Sequence, residues 1–125
     1  MGIRLLKMAV VYFLIGLGIG IYMAVSQDHG QIPVHAHVNL LGWASMGICG
    51  LTYEVFPRLK THWLAPAHFW LHSVGLPISM VGLFFLMRGV TSMEPVAGIG
   101  AVVVAIGVLF FAINVLFRLR VEAQS

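Results

Sequence analysis

The chain has 125 residues, 60% of them hydrophobic and only 9% charged, with a mean hydropathy of +0.98. A soluble domain carries about 25% charged residues, and one of this length has no core large enough to hide so much apolar surface, so the solvent for most of the chain is lipid. The formal charge of +3 comes from seven basic residues scattered over short loops, which excludes a nucleic-acid-binding face, and the single Cys49 excludes a disulfide framework or a cysteine zinc site.

A membrane helix needs about 20 mostly apolar residues. Four stretches meet that requirement, and they predict an all-α fold, an integral membrane four-helix bundle in one unit. The first runs roughly from Leu5 to Val25. It is long, and no small-x-small cleavage site follows it, so it is read as a span rather than a signal peptide. The second runs from about His35 to Phe56, introduced by Gly30 and Pro33. Pro57 and Pro66 bracket the next loop, and the third span runs from about His68 to Met87. Gly89 and Pro95 bracket the last loop, and the fourth span runs from about Val96 to Phe117. No linker, low-complexity segment or internal repeat interrupts this order.

With four spans, Arg4, Lys7, Arg58, Lys60, Arg118 and Arg120 all fall on one side of the membrane and only Arg88 on the other. The positive-inside rule then puts both termini in the cytoplasm, in a bacterium beneath the inner membrane. Glycines recur in the spans, among them Gly16, Gly18 and Gly20, then Gly42, Gly47 and Gly50, then Gly98, Gly100 and Gly107. Small residues let a neighbouring helix, or a flat cofactor, approach the backbone.

Six histidines stand out: His29, His35, His37, His62, His68 and His72. Ionisable residues within spans are functional candidates by default. His29 and His62 fall in loops and read as interfacial anchors. His35 and His37 lie about 200° apart on a helix, so they cannot easily share one metal ion. If both are ligands, they serve two centres on opposite faces, and a neutral imidazole suits heme iron. The competing reading makes His35 a neighbour of the helix cap and His37 a hydrogen-bonded polar residue. His68 and His72 share one face at i and i+4, a spacing that suits one small metal ion. No carboxylate lies beside them, and Trp63 and Trp70 mark an aromatic belt nearby, so His68 is expected as an interface anchor and His72 stays open as a metal ligand.

Other chemistry is sparse. Phosphate-loop and nucleophile-elbow motifs are absent, and of Asp28, Glu54, Glu94 and Glu122 only Glu54 is near a span, which argues against a paired-carboxylate hydrolase. The seven methionines offer soft thioethers to copper(I), although Met46, Met80 and Met87 are expected as packing residues.

The stretch HAHVNLLGWASMGICGLTYEVFP, His35 to Pro57, resembles the tenth helix of the catalytic subunit I of heme–copper oxidases. The places that carry the likeness are His35, His37, Gly50, Tyr53, Phe56 and Pro57, followed in order by His68, Phe69, Trp70 and Gly75 of the next helix. The resemblance covers about residues 35 to 82, a small part of a twelve-helix subunit, and the loop from Arg58 to Pro66 is shorter than the family's. It implies that His35 ligates a high-spin heme and His37 a low-spin heme, and that His68 is no heme ligand. The family's copper-binding histidines and redox tyrosine have no counterpart here, so oxygen reduction by this chain alone is not expected, and copper lacks a full ligand set.

Subunit I has twelve helices in three groups of four. The resemblance therefore implies a homotrimer of this four-helix chain, with His37 of one protomer and His35 of a neighbour clamping one heme. In that picture Gly42 and Gly47 make room for a porphyrin face, and Asn39, one turn from His35, bonds a ring nitrogen or a propionate. An interhelical bond is the alternative for Asn39. Arg88 pairs with propionates, or simply snorkels. Trp43 and Phe69 pack on the macrocycle or in the core. The function so implied is a b-type cytochrome that carries electrons from a donor such as quinol or cytochrome c, or binds a diatomic gas where one axial site is open. Two other classes remain: a membrane protein that handles heme or copper, and a structural subunit without cofactor.

Overall fold

The computed structural model describes residues 1–121; Glu122 lies outside them. Helix α1 (Gly2–Ser26) ends where Gln27 turns left-handed, at φ 59°, and donates its backbone N–H to the Met23 carbonyl. Helix α2 (Ile32–His37) runs without a break into a π-helical stretch (Val38–Ser45) and then into α3 (Met46–Val55). The joining residues keep helical angles, φ −71° and ψ −38° at His37 and φ −68° and ψ −48° at Ser45, so residues 32–55 form one rod. A 3-10 turn (Pro57–Thr61) leads to α4 (Leu64–Met87), and a second (Thr91–Met93) leads to α5 (Glu94–Arg118). The protein is therefore all-helical, with four rods and no strand among the described residues. Three of them, Gly2–Ser26, Leu64–Met87 and Thr91–Arg118, are long and apolar enough to cross a membrane.

Every rod begins earlier than the sequence suggests: at Gly2 rather than Leu5, at Ile32 rather than His35, at Leu64 rather than His68, and at Glu94 rather than Val96. Pro33, Pro66 and Pro95 were expected outside the helices and sit in their first turns. The first four N–H groups of a helix have no partner within it, so a proline there removes nothing.

The antiparallel α4–α5 pair packs most closely. A Cβ on Gly82 would stand 2.5 Å from the Ala97 backbone nitrogen, and one on Gly100 would strike the Ser79 backbone. Side chains are thus excluded where the two backbones meet, and the Ser79 hydroxyl donates to the Ala97 carbonyl across the same contact at 3.1 Å. Helix α1 packs on the π stretch and α3 in a similar way, with Gly16 against Asn39 and the Tyr12 ring seated on Gly42. Between these two pairs lies a core that includes Val38, Met46, Tyr53, Leu76 and Val104. Large apolar side chains such as Leu14, Ile21, Ile99 and Leu116 cover the outside, as expected of surfaces that face lipid.

The inward residues of the second rod explain its π stretch. Val34, Val38, Gly42 and Met46 are buried at intervals of four, followed by Cys49, Gly50 and Tyr53. In a regular α-helix a step of four turns the side chain by about 40°, so three such steps would carry it about 120° off the core. The widened π turns absorb that drift and keep one face inward.

The two ends of the bundle differ in charge. At one end Gly2 lies beside Glu54, Lys60 pairs with Glu54 at 3.3 Å, and Arg58, Arg118 and Arg120 line one cleft. At the other, Arg88 lies with Asp28, Gly30 and Gln31.

Candidate functional site

His35 is half-buried against α1. Its Nδ1 lies 2.9 Å from the Gly16 carbonyl oxygen, which can only accept, so Nδ1 carries the proton. The Asn39 amide nitrogen approaches the same Nδ1 at 3.4 Å, but both are then donors, and Asn39 instead donates to the backbone carbonyl of His35 at 2.8 Å. His37 is exposed on another face, and its Nδ1–H donates to the Pro33 carbonyl at 2.7 Å. The two rings thus share one electronic arrangement: a carbonyl fixes the proton on Nδ1, and the Nε2 lone pair has no partner among the described residues. Metal-ligating histidines are commonly oriented by this kind of outer hydrogen bond.

Several expected roles change. Gly42 does not open space for a porphyrin, because Tyr12 fills it, and Gly47 faces Ala9. Asn39 donates to the backbone carbonyl of its own helix at 2.8 Å, with the His35 ring nitrogen a longer contact at 3.4 Å. Trp43 lies on the surface, stacked on Phe13 with ring centroids 4.6 Å apart, whereas Phe69 is in the core. Arg88 is exposed at the end of α4, with its guanidinium 5.9 Å from the Phe84 ring centre. His29 and His62 occupy the connections between helices, as expected.

His68 is the clearest correction. It is no interface anchor: with His72 and Tyr53 it has no exposed surface. The three side chains form one hydrogen-bonded chain. Tyr53 Oη lies 2.9 Å from His68 Nδ1, His68 Nε2 lies 3.2 Å from His72 Nδ1, and His72 Nε2 lies 2.9 Å from the Leu41 carbonyl oxygen. The last contact fixes the others. The carbonyl only accepts, so His72 carries its proton on Nε2 and accepts at Nδ1. His68 then donates from Nε2 and accepts at Nδ1, and Tyr53 donates its hydroxyl. With neutral rings only this polarity satisfies every member. Both nitrogens of His72 are engaged, so it is not free to ligate a metal in this arrangement. No group of three or more His, Cys, Asp or Glu residues able to hold a metal ion occurs among the described residues.

The spacing of His68 and His72 hinted at a shared inward face, but it gave no sign that Tyr53 and Leu41 complete the chain. Asn114 was missed altogether. It is fully buried and donates to the Leu59 carbonyl at 2.9 Å, tying α5 to the turn after α3, while its Oδ1 has no partner among the described residues. The available signal was an amide in an otherwise apolar span. A groove of about 590 Å³, lined by side chains including Tyr12, Val38, Pro77, Met80 and Phe84, runs between α1, the second rod and α4; its walls are almost wholly apolar, and neither His35 nor His37 lines it.

The fit to heme is uneven. His37 is accessible, with its tautomer set and Nε2 free, and suits an axial ligand. The His35 ring lies close against α1, where a Cβ on Gly20 would stand 3.1 Å from its Cε1 and 3.9 Å from its Nε2, so α1 restricts access to this ring. No protein-family model, curated protein or solved structure matches this chain.

Proposed function

We propose that the protein is a heme-binding membrane protein of the b-cytochrome type, similar to subunit I of heme–copper oxidases, that transfers electrons or binds a diatomic gas. The observation that carries this reading is the paired state of His35 and His37: both donate Nδ1–H to a backbone carbonyl and keep Nε2 free, on different faces of one rod. His37 would hold the iron, and His35, half-buried, would serve a second protomer's heme in a homotrimer. The bound heme would supply a one-electron couple; the chain's own part is to fix the ligand tautomer and exclude water. Two imidazoles on one iron favour electron transfer, and one favours gas binding.

The topology belongs to the same proposal. All four rods span the membrane, both termini are cytoplasmic, and the membrane is the bacterial inner membrane. The gathering of Arg4, Lys7, Arg58, Lys60, Arg118 and Arg120 towards one end supports it. Quinol or cytochrome c is the donor class that suits such a site.

The test is the reduced-minus-oxidised visible spectrum of the purified protein and its His37→Ala variant. A low-spin spectrum lost in the variant is the expected result. A parent without Soret absorbance after expression with ample heme removes the reading.

A further inference from the structure

We infer that the buried Tyr53–His68–His72 chain fixes the angular position of His35 and His37, making His72 a positioning residue for the proposed heme site. The inference rests on the function proposed above and deepens it. The two ligand candidates lie in α2, before the π stretch, whereas Tyr53 lies in α3, after it. The π stretch is therefore the joint that sets how the histidine pair is turned relative to the core face of α3. One residue of phase in a helix is about 100°. If the π turns relaxed to α geometry, His35 would leave the Gly16 carbonyl, and the exposed His37, whose bond to the Pro33 carbonyl stays within the rod, would turn with the rod to a new direction.

Two side chains act on carbonyls within this joint. The Ser45 hydroxyl donates to the Leu40 carbonyl, five residues earlier, at 2.7 Å. His72 Nε2–H donates to the next carbonyl, that of Leu41, at 2.9 Å. Ser45 acts from within the same rod, but His72 acts from α4 and so ties the joint to the rest of the bundle. Its ring cannot turn without breaking its bond to His68, and His68 is held in turn by the Tyr53 hydroxyl, so the chain closes a loop across the π stretch. A π turn is less favourable than the α-helix it interrupts and is found at functional sites. Here a buried donor from another helix stabilises it.

The experiment uses the full chain in lipid, with heme supplied, and compares the parent with His72→Leu, His72→Gln, Tyr53→Phe and Ser45→Ala. Two signals read the joint without reference to heme: the ¹³C resonance of the Leu41 carbonyl, and the ¹⁵N–¹³C contact between His35 Nδ1 and the Gly16 carbonyl. Heme titration and the low-spin spectrum read the site. His72→Leu is expected to move the Leu41 resonance upfield, weaken the His35–Gly16 contact and lower heme affinity about tenfold, the low end for disturbing a ligand's outer hydrogen bond, here that of His35 to Gly16. His72→Gln, which keeps a side-chain N–H, is expected to restore all three, and Ser45→Ala to leave the His35–Gly16 contact in place. Unchanged carbonyl signals in His72→Leu overturn the inference. So do altered carbonyl signals with unaltered heme affinity and spectrum, because the chain then shapes the backbone without positioning the ligand. If His72→Leu does not fold, Tyr53→Phe must move the same two signals in the same direction by less, and no movement overturns the inference. A parent that binds no heme defeats the proposed function, while the two carbonyl signals still decide whether His72 holds the His35 ring in place.

Discussion

Tyr53 shows how much one hydroxyl can carry in an apolar core. It sits at the end of a chain whose direction is set at the other end by a carbonyl, and it supplies the proton that His68 Nδ1 needs. Tyr53→Phe leaves that nitrogen buried without a donor, at a cost of ~1–3 kcal/mol. The ring remains, and with it the edge-on contact to Phe111 at 5.6 Å, so packing is little changed. The variant is expected to fold and to unfold earlier by that amount in a denaturant titration in mixed micelles; unchanged stability means that His68 finds another donor. A second expectation separates hydrogen bonding from packing. Asn114→Leu removes an unpartnered buried oxygen but also the donor to the Leu59 carbonyl and the side chain that hydrogen-bonds the Tyr53 hydroxyl, so it is expected to destabilise by an amount similar to Tyr53→Phe. The same titration compares the two. Sequence alone identified His68 and His72 as neighbours on one face. It could not say that the face points inward, because periodicity in an apolar helix does not distinguish a core side from a lipid side.

At the scale of the elements, hydropathy made the four rods legible as apolar runs, and three of them are long and apolar enough to cross a membrane. The helix starts were less legible. Pro33, Pro66 and Pro95 read as punctuation, yet a first turn tolerates proline for the reason that makes it a breaker elsewhere: the missing N–H has no partner there to lose. The π stretch was illegible for another reason. Apolar or small residues spaced by four suit an α-helix that drifts as well as a π turn that does not, and only the packed neighbours decide between them. The α4–α5 hairpin offers the sharpest test at this scale. Gly100 meets the Ser79 backbone directly, and backbone cannot give way as a flexible side chain can. Gly100→Leu is expected to part the two helices and cost at least the ~1–3 kcal/mol of ordinary overpacking, read as early thermal unfolding. Gly98→Leu, at a position with nothing within 4 Å of the added carbon, is the control and is expected to unfold like the parent.

For the whole molecule, the distribution of charge makes a prediction about orientation. Thr61 is exposed at the end where the basic residues gather, and Ser92 is exposed in the turn before α5, at the opposite end. In a Cys49→Ser background, a membrane-impermeant maleimide applied to intact cells is expected to label Ser92→Cys and to reach Thr61→Cys only after lysis. The reverse pattern would invert the topology and place His35 and His37 on the cytoplasmic side.

Assembly is the last question at this scale, and the exposed His37 frames it. His37 is exposed, and its Nε2 makes no hydrogen bond among the described residues. In the trimer proposed above, a heme held by His37 of one copy and His35 of a neighbour would leave both imidazoles paired. Mass measurement in mild detergent is then expected to give three times 13.7 kDa, with up to three hemes per particle. The His35→Ala variant adds discrimination, because it removes the ligand offered to the neighbour and keeps His37. Its iron is expected to become five-coordinate and high-spin. A monomer that still shows a low-spin, two-imidazole spectrum excludes sharing between copies, since His35 and His37 of one rod point to different faces and cannot close on one iron together.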